Sequence, residues 1–558
     1  MTLEQSHLTD RPTQAKPSLD GVVQQNLKPL RILKGADFAS RIEQICREFP
    51  TIEPLADLRY RRILISGMWG GENIFSRLGF IGLALKMRGA EVTALLCDSL
   101  LPACAARKID HEESACTRWC HKNAAPFAQA MRLRYRWYSE FISPEERQAC
   151  EAIAEKVSPQ DIPDLEWRGV LLGHHILRTI ESHFKMGRFD PDNPEMAAKA
   201  RDFVLAALYL RVIAEHAIEE LKIDKLVFLD GFKNTWGVPR AVATQAGVPV
   251  DILDGGARGL SYRCSRDRPN EGTQAMPEWR YWRELPLTPP QEQALDQYML
   301  QREMRPYGYI SGDWFGHSND PDMVRRTIGL PSKTRGLVFA MFPNVSFDAP
   351  RTETKPAFDY PHDWVVQTVS FMSRCPQHHL VIKIHPAEYH FGAQDPLDTW
   401  LQQRVGELPA NIHLVPPQTD VTAHAVMRTA DVALVYNSTV AVEAAVLGTP
   451  VVLVGGGWNA ARGITVDVSS AQDYFHLLSA ICSGKHILET RTQLARRYAY
   501  SLFFRLDIPI NHFSMEYPHV TELHIDSLAE IAPGADPAMD VICRGILRDE
   551  PFCMPDST

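Results

Sequence analysis

The segment RRILISGMWGGENIFSRLGFIGLALKMRGAEVTALLCD, from Arg61 to Asp98, restricts the fold more than any other part of the sequence. Ile63–Ser66 is an apolar run of strand length, and Gly67, Gly70 and Gly71 make a tight turn after it. From Asn73 to Arg88 the apolar residues recur at helical spacing, Gly89 stops the helix, and Glu91–Cys97 is a second strand. Strand, helix and strand at this spacing form a βαβ unit, which implies a parallel sheet.

The pattern resumes further along. KLVFLDG is a strand ending at Asp230-Gly231, and TWGVPRAVATQAGVPVDILDGG is a helix, a stop at Gly247 and a strand ending at Asp254-Gly255-Gly256. Residues 100–220 between these units read mostly as helix. A stretch rich in Pro, Trp, Arg and Gln over 265–330, with a helix near Pro290–Arg302, reads as a connection. A second α/β series follows, through VFAMF, HLVIKIHP, NIHLVPP and ADVALVYNSTVAVEAAVLGTPVVLVGG.

With 558 residues the chain exceeds one ordinary core. It therefore reads as α/β. A disordered tail over 1–35 leads into a first Rossmann-like domain over 36–310, with a helical insertion at 100–220. A second Rossmann-like domain covers 311–515, and a Pro- and Asp-rich tail covers 516–558. In open parallel sheets, ligands bind beyond the carboxyl ends of the strands, so the crevice between the domains is the expected site.

Composition narrows the function classes. Apolar residues make up 45% and charged residues 23%, as in soluble globular proteins. The formal charge of −9 argues against a general nucleic-acid coat. No run approaches the roughly 18 apolar residues of a membrane span, and the polar N-terminus lacks a signal core. An odd count of 11 cysteines favours reduced thiols in the cytoplasm. Cys97, Cys104, Cys116 and Cys120 fall close together, near His111 and His121, but match no paired metal-binding spacing. His174-His175 reads as a helix-surface pair.

The strand ends carry the candidate chemistry. In VYNSTVAVEAAVLGTPVV, Asn437, Ser438 and Thr439 open a helix where free N–H groups favour an anion, and Glu443 lies one turn further in, placed to accept from a ribose. The same residues also fit a plain helix cap. HLVIKIHP delivers His385 to the same sheet edge, with Lys383 two positions earlier and Pro386 fixing the turn. Either cation could neutralise a departing phosphate. Asn344, Ser346 and Asp348 follow the first strand of the second series and face the crevice. In the first domain, Asp254 and Asp230 are rival strand-end carboxylates for deprotonating a hydroxyl, with Glu72 as a further candidate base. Gly70 and Gly71 would let an acceptor approach the backbone. The loop lacks the GxGxxG and GK[ST] patterns, which excludes dinucleotide and P-loop readings.

KIHP followed by NSTVAVEAAVLGTPVV resembles the C-terminal half of the capsule polysaccharide biosynthesis glycosyltransferases. These include bacterial Kdo transferases and, more distantly, sialyltransferases. The likeness is clearest over 335–515, architectural over 60–260 and absent from both tails. It implies a GT-B fold, no cofactor and no catalytic metal, and a nucleotide-sugar donor, CMP-linked by preference. His385 would contact the nucleotide phosphate, and Ser438 and Thr439 would donate to it. Glu443 would lie near the ribose, and Asp254 would act as base. The acid expected before that base is Leu253 here, a departure that keeps Asp230 in contention. The acceptor would be a glycan or glycolipid. A lipid-linked acceptor would require peripheral attachment at the inner face of the membrane. A teichoic-acid-type glycerophosphotransferase, a nucleotide-sugar 2-epimerase and a non-catalytic nucleotide-sugar-binding scaffold are the alternatives.

Overall fold

A computed structural model of the chain describes residues 32–50, 55, 57–104, 116–268, 276–304, 320–348, 356–419, 421–516 and 519–556. The expected N-terminal tail lies almost wholly outside these residues, as do His111 and part of the connecting segment. The first sheet draws on β1 (Arg62–Met68), β2 (Glu91–Leu96), β3 (Arg134–Trp137), β4 (Lys225–Phe228), β5 (Val250–Gly255) and β6 (Ser261–Arg266). The second is built from β7 (Val338–Phe342), β8 (His379–Lys383), β9 (Ile412–Val415), β10 (Val432–Val435), β11 (Val451–Leu453) and β12 (Val466–Asp467). After these come β13 (Asp507–Pro509), β14 (Phe513–Glu516) and β15 (His519–Leu523).

The second sheet runs β9-β8-β7-β10-β11-β12 with every pairing parallel, the doubly wound Rossmann order. Its strands are apolar end to end because both faces are covered. Val338, Ala340, Val381 and Val435 pack on one side with Ala441, Val442 and Tyr498. Phe339, Met341, Leu380 and Ile382 pack on the other with Trp364, Val369 and Tyr474. The first sheet runs β13-β6-β5-β4-β1-β2-β3. Its strands from β3 to β5 are parallel, and β6 and β13 close that edge antiparallel. The expected α/β class with two Rossmann-like domains therefore holds.

Two expectations change. The helical insertion contains the helices Pro144–Ala154, Gly173–Phe184 and Pro194–Leu221, but it also supplies β3. The RYRW of β3 alternates charge and aromatic rings, as suits an edge strand, where charges discourage pairing with another chain. The C-terminal segment is also no tail. The helix Thr492–Tyr500 packs in the second domain, then the chain crosses back, and β13 pairs with β6 of the first sheet. Beyond it, Leu528, Ile531, Val541, Ile542, Ile546 and Leu547 are buried in the first-domain core. The helix Pro537–Arg548 had a legible start. Asp536 caps it by accepting from Ala538 N–H and Met539 N–H, and proline stands at its first position.

That helix is pinned under the sheet by charge. Lys225 on β4 is fully buried, 2.8 Å from Asp251 on β5 and 2.7 Å from Asp549 at the helix end. Arg88 is equally buried and reaches Asp540 at 2.5 Å and the carbonyl of Ile531 at 3.1 Å. Among the described residues, no helix is long and apolar enough to cross a membrane. Lys225→Met leaves Asp251 buried without its ammonium, and should cost about 3–5 kcal/mol. Urea unfolding followed in the first domain checks this, with the second-domain transition expected to stay in place.

Candidate functional site

The candidate residues lie at or just beyond the carboxyl ends of strands in both sheets. On the second domain, the strand β8 ends at Lys383, which is buried at 5% exposure and donates to the carbonyl of Pro416 at 3.3 Å. No carboxylate among the described residues pairs with it, and burial lowers its pKa to about 8. His385 caps the short helix Pro386–Phe391, its Nδ1 accepting from Ala387 N–H at 3.1 Å. In the neutral ring the proton then sits on Nε2, which becomes a donor. Burial, aided by the nearby Lys383 charge, pushes the imidazole down to about 4. So His385 offers a neutral N–H at pH 7, and Lys383 offers the charge. Glu388, in the same helix, accepts from Leu397 N–H at 2.9 Å, and burial raises its carboxyl to about 8.

After β10, Asn344 grips the next loop from β7. Its Nδ2 donates to the carbonyl of Asn437 at 2.6 Å, and its Oδ1 accepts from Asn437 N–H at 3.1 Å. Asn344 is therefore committed to shaping the loop and not to a ligand. Ser438 Oγ accepts from Val440 N–H at 3.2 Å, opening a helix of seven residues, Val440–Val446. The side chain of Asn437 is 4% exposed, and neither of its amide atoms meets a hydrogen-bond partner among the described residues. The glycine loop after β11 presses on it. Gly457 has φ +77°, and a Cβ there would stand 2.2 Å from Asn437 Nδ2. Asn459, fully buried, donates from Nδ2 to the carbonyl of Ser438 at 2.8 Å and leaves its Oδ1 unbonded. Asn459 escaped the sequence reading because it lies in a loop with no local periodicity.

Thr439 and Glu443 differ from expectation. Arg302, from the connecting helix Pro289–Met304, donates from Nη2 to Thr439 Oγ1 at 3.1 Å and to Glu443 Oε1 at 2.7 Å. His424 Nε2 stands 3.3 Å from the other oxygen of Glu443. Burial would raise the Glu443 carboxyl, but Arg302 and then His424 outweigh it and hold it below its usual value. The ribose acceptor expected at Glu443 is thus engaged by protein.

On the first domain, Asp254 and Asp230 come together after β5 and β4. Burial first, and Asp230 second, raise the Asp254 carboxyl to about 6, while Arg77 and Lys233 pull it back in part. Asp254 Oδ1 accepts from Gly255 N–H at 2.7 Å. Asp230 has φ +39°, accepts from Phe232 N–H at 2.7 Å, and stands 3.3 Å from Lys233 Nζ. Burial opposes the charge of Lys233, but Asp230 and Asp348 outweigh it and raise its pKa. Asp348 belongs to the second domain, so this lysine feels both sides of the crevice. His175 is buried, not on a helix surface, and its Nδ1 lies 2.6 Å from the carbonyl of Phe232, steadying the Asp230 loop.

The remaining candidates serve packing. Glu72 is 7% exposed, and its Oε1 accepts from Gly35 N–H at 2.8 Å, anchoring the first helix. Gly70 is filled against the chain: a Cβ there would stand 1.9 Å from the carbonyl of Cys120. At Gly71, Asn73 and Trp69 crowd the same space. Neither glycine leaves room for an acceptor. Ser346 donates to Asp395 Oδ1 at 2.7 Å, and Gly187 N–H of the insertion donates to Asp395 Oδ2 at 2.9 Å, a second bridge between domains. Cys97, Cys104, Cys116 and Cys120 form no disulfide, and no group of three metal-ligating residues occurs among the described residues.

No family model and no curated protein matches the chain. Solved structures match weakly. A UDP-GlcNAc 2-epimerase from Neisseria meningitidis, bound to UDP-GlcNAc, is 10% identical over 79% of this chain and 94% of its own, with a TM-score of 0.23. KpsC of Thermosulfurimonas dismutans, a β-Kdo 2,7 transferase, is 13% identical over 51% of this chain and 79% of its own, with a TM-score of 0.30. The N-terminal domain of Candida albicans trehalose-6-phosphate phosphatase is 11% identical over 81% and 94%, with a TM-score of 0.31. Likenesses this weak transfer no function, and the architecture stands on the strand orders alone.

The His385 geometry is open to measurement. A histidine depressed from 6.5 to about 4 is neutral when folded and takes up a proton on unfolding between those values. It therefore contributes stability above pH 6.5 that is lost as pH falls toward 4. Nitrogen-15 NMR of labelled histidine should show the His385 ring held as the Nε2–H tautomer at pH 5.5, identified as the signal lost in His385→Gln.

Proposed function

We propose that the protein is a GT-B glycosyltransferase that moves a sugar from a nucleotide-sugar donor, CMP-linked by preference, to a hydroxyl of a glycan or glycolipid. The observation that carries this reading is the apposition of two unlike edges. A carboxylate raised to about 6, Asp254, ends one sheet's strand, a buried lysine and a neutral histidine, Lys383 and His385, end a strand of the other, and Lys233 beside Asp230 feels Asp348 of the second domain. The first suits removal of a proton near neutral pH, and the second suits a phosphate that gains charge as it leaves.

The chemistry balances with these groups. Asp254 takes the proton of the acceptor hydroxyl as its oxygen bonds to the anomeric carbon. The bond from that carbon to the phosphate oxygen breaks, and the nucleotide departs with the electron pair. The Lys383 ammonium and the Nε2–H of His385 meet the charge gathering on the phosphate. The Nδ2 of Asn437 and the hydroxyl of Ser438 supply hydrogen bonds beside it, Asn459 holds the Ser438 carbonyl, and Lys233 and Arg77 tune Asp254. This route requires no metal from the residues named. Work in the cytoplasm, at the inner face of the membrane when the acceptor is lipid-linked, accords with the reading.

A second reading has its own support. Asp230 lies close enough to raise the Asp254 carboxyl, and a pair of carboxylates can also remove and return a proton at a sugar carbon, as a 2-epimerase requires. Product analysis separates the two, since epimerisation needs no acceptor.

Thermal shift with CMP, UDP, CMP-sugars and UDP-sugars should single out the donor, a ligand at 100 times its Kd adding about 2.7 kcal/mol. With donor and acceptor supplied, Asp254→Asn should lower kcat by about 10²–10⁴-fold and remove the acid limb of the rate profile near pH 6. Unaltered turnover in Asp254→Asn, or no stabilisation by any nucleotide or nucleotide sugar, would end this proposal.

A further inference from the structure

The guanidinium of Arg302 bonds to both halves of the candidate site. Its Nη2 donates to Thr439 and Glu443 of the second domain, at 3.1 and 2.7 Å. Its Nη1 donates to the carbonyl of Ala257 at 2.8 Å and to the Tyr298 hydroxyl at 3.1 Å. Ala257 lies three residues beyond Asp254, in the loop that ends β5. The guanidinium is packed against the rings of Phe503 at 5.2 Å and Tyr298 at 5.8 Å, and its side chain is 11% exposed. Guanidinium geometry permits this double role, because two nitrogens of one rigid plane point to different partners. A lysine in its place has one point charge to divide between them.

The loop it holds is tied on its other side to the return strand and the segment before it. Gly255 and Gly256 supply no side chains. Arg258 N–H donates to Asp507 Oδ2 at 2.8 Å, Arg258 Nη1 donates to the carbonyl of Phe503 at 3.3 Å, and Gly256 N–H donates to the carbonyl of Ser261 at 3.0 Å, while Asp254 and Gly255 pair with Arg263 and Tyr262 of β6. Of these ties, the Arg302 bond is the one that reaches Thr439 and Glu443, so without it the loop and the β5 end that bears Asp254 would lose that link to the second domain. A displacement of about 1 Å of a reacting group can cost about 10² in rate.

We infer that Arg302 is a positioning residue: through one guanidinium it fixes the loop that follows Asp254, and so the strand end that bears it, at a set distance from Thr439 and Glu443. The inference rests on the glycosyl-transfer reading for its effect on rate, but not for its effect on the loop. Arg302 touches neither reacting atom. It acts by keeping the carboxylate and the donor in register, so its loss should spare nucleotide binding and impair turnover.

The experiment uses the full chain with Arg302→Met, Arg302→Lys, and the double variant Arg302→Met with Glu443→Gln. The double variant removes both charges together and keeps the test open if the single methionine variant folds poorly. Hydrogen exchange of peptides spanning 254–258 is the first readout. It should quicken by at least about tenfold in the methionine variants, with peptides of β1 and β7 unchanged. Binding of CMP and UDP, measured by calorimetry, should stay within about threefold of wild type, while kcat falls by about 30-fold or more at unchanged KM for the donor. Arg302→Lys should keep the melting temperature of wild type but share the loss in kcat. Unchanged exchange over 254–258 overturns the inference whatever the reaction proves to be. So does a fall in kcat matched by an equal fall in nucleotide affinity, which marks a merely structural arginine. If wild type itself neither binds nucleotides nor turns over, the proposed function fails, and the exchange result alone judges the tether.

Discussion

The carboxylate of Asp507 is the joint on which the two domains depend. It is fully buried, accepts from Arg263 Nε at 2.9 Å and Nη2 at 2.5 Å, and accepts from Arg258 N–H at 2.8 Å. Asp507 begins the strand with which the chain, having built the second domain, returns to the first sheet. A buried charge this far from water must be fully met by donors, so the return strand has one register. The same residue fixes the loop that carries Asp254. Gly256 lies so close that a Cβ there would stand 2.8 Å from Asp507 Oδ1.

From this joint the rest follows in layers. The return strand lets the C-terminal helix complete the first core, where Lys225, Asp251 and Asp549 lock it under the sheet. Further bridges join the domains, among them Arg302 with Glu443 and Gly187 with Asp395. All three lie at the carboxyl edges of the strands or beside them. Here α/β sheets offer unpaired loops and helix starts to a ligand. The candidate site is thus held by the contacts that hold the domains together.

Local pattern made much of this legible. The apolar runs of β1, β7, β8 and β10 stand out because a parallel sheet buries both faces, and the glycine stops marked the helix ends. Asp254, Lys383, His385 and Asn437 were identifiable as polar residues directly after such runs. Thr439, Glu443, Asn344 and Glu72 were identified by the same logic, yet each is spent on a partner distant in sequence. No local spacing announces that Arg302 will reach Glu443, or that the backbone of Gly35 will claim Glu72. The segment over 513–548 was misjudged because its strands are short and its helix buries a face against a sheet formed hundreds of residues earlier.

The sequence by itself determined the two parallel α/β sheets, their order along the chain and which strand ends carry polar groups. These rest on periodicity and turn chemistry, which act over a few residues. Tertiary structure decided which of those groups remain available and which are consumed. It raised Asp254 by burial and by Asp230, lowered Lys383 and His385, and closed Glu443 with Arg302. Desolvation and Coulomb interaction depend on what lies within a few ångströms in space, and that neighbourhood exists only once the chain has crossed between its domains and returned.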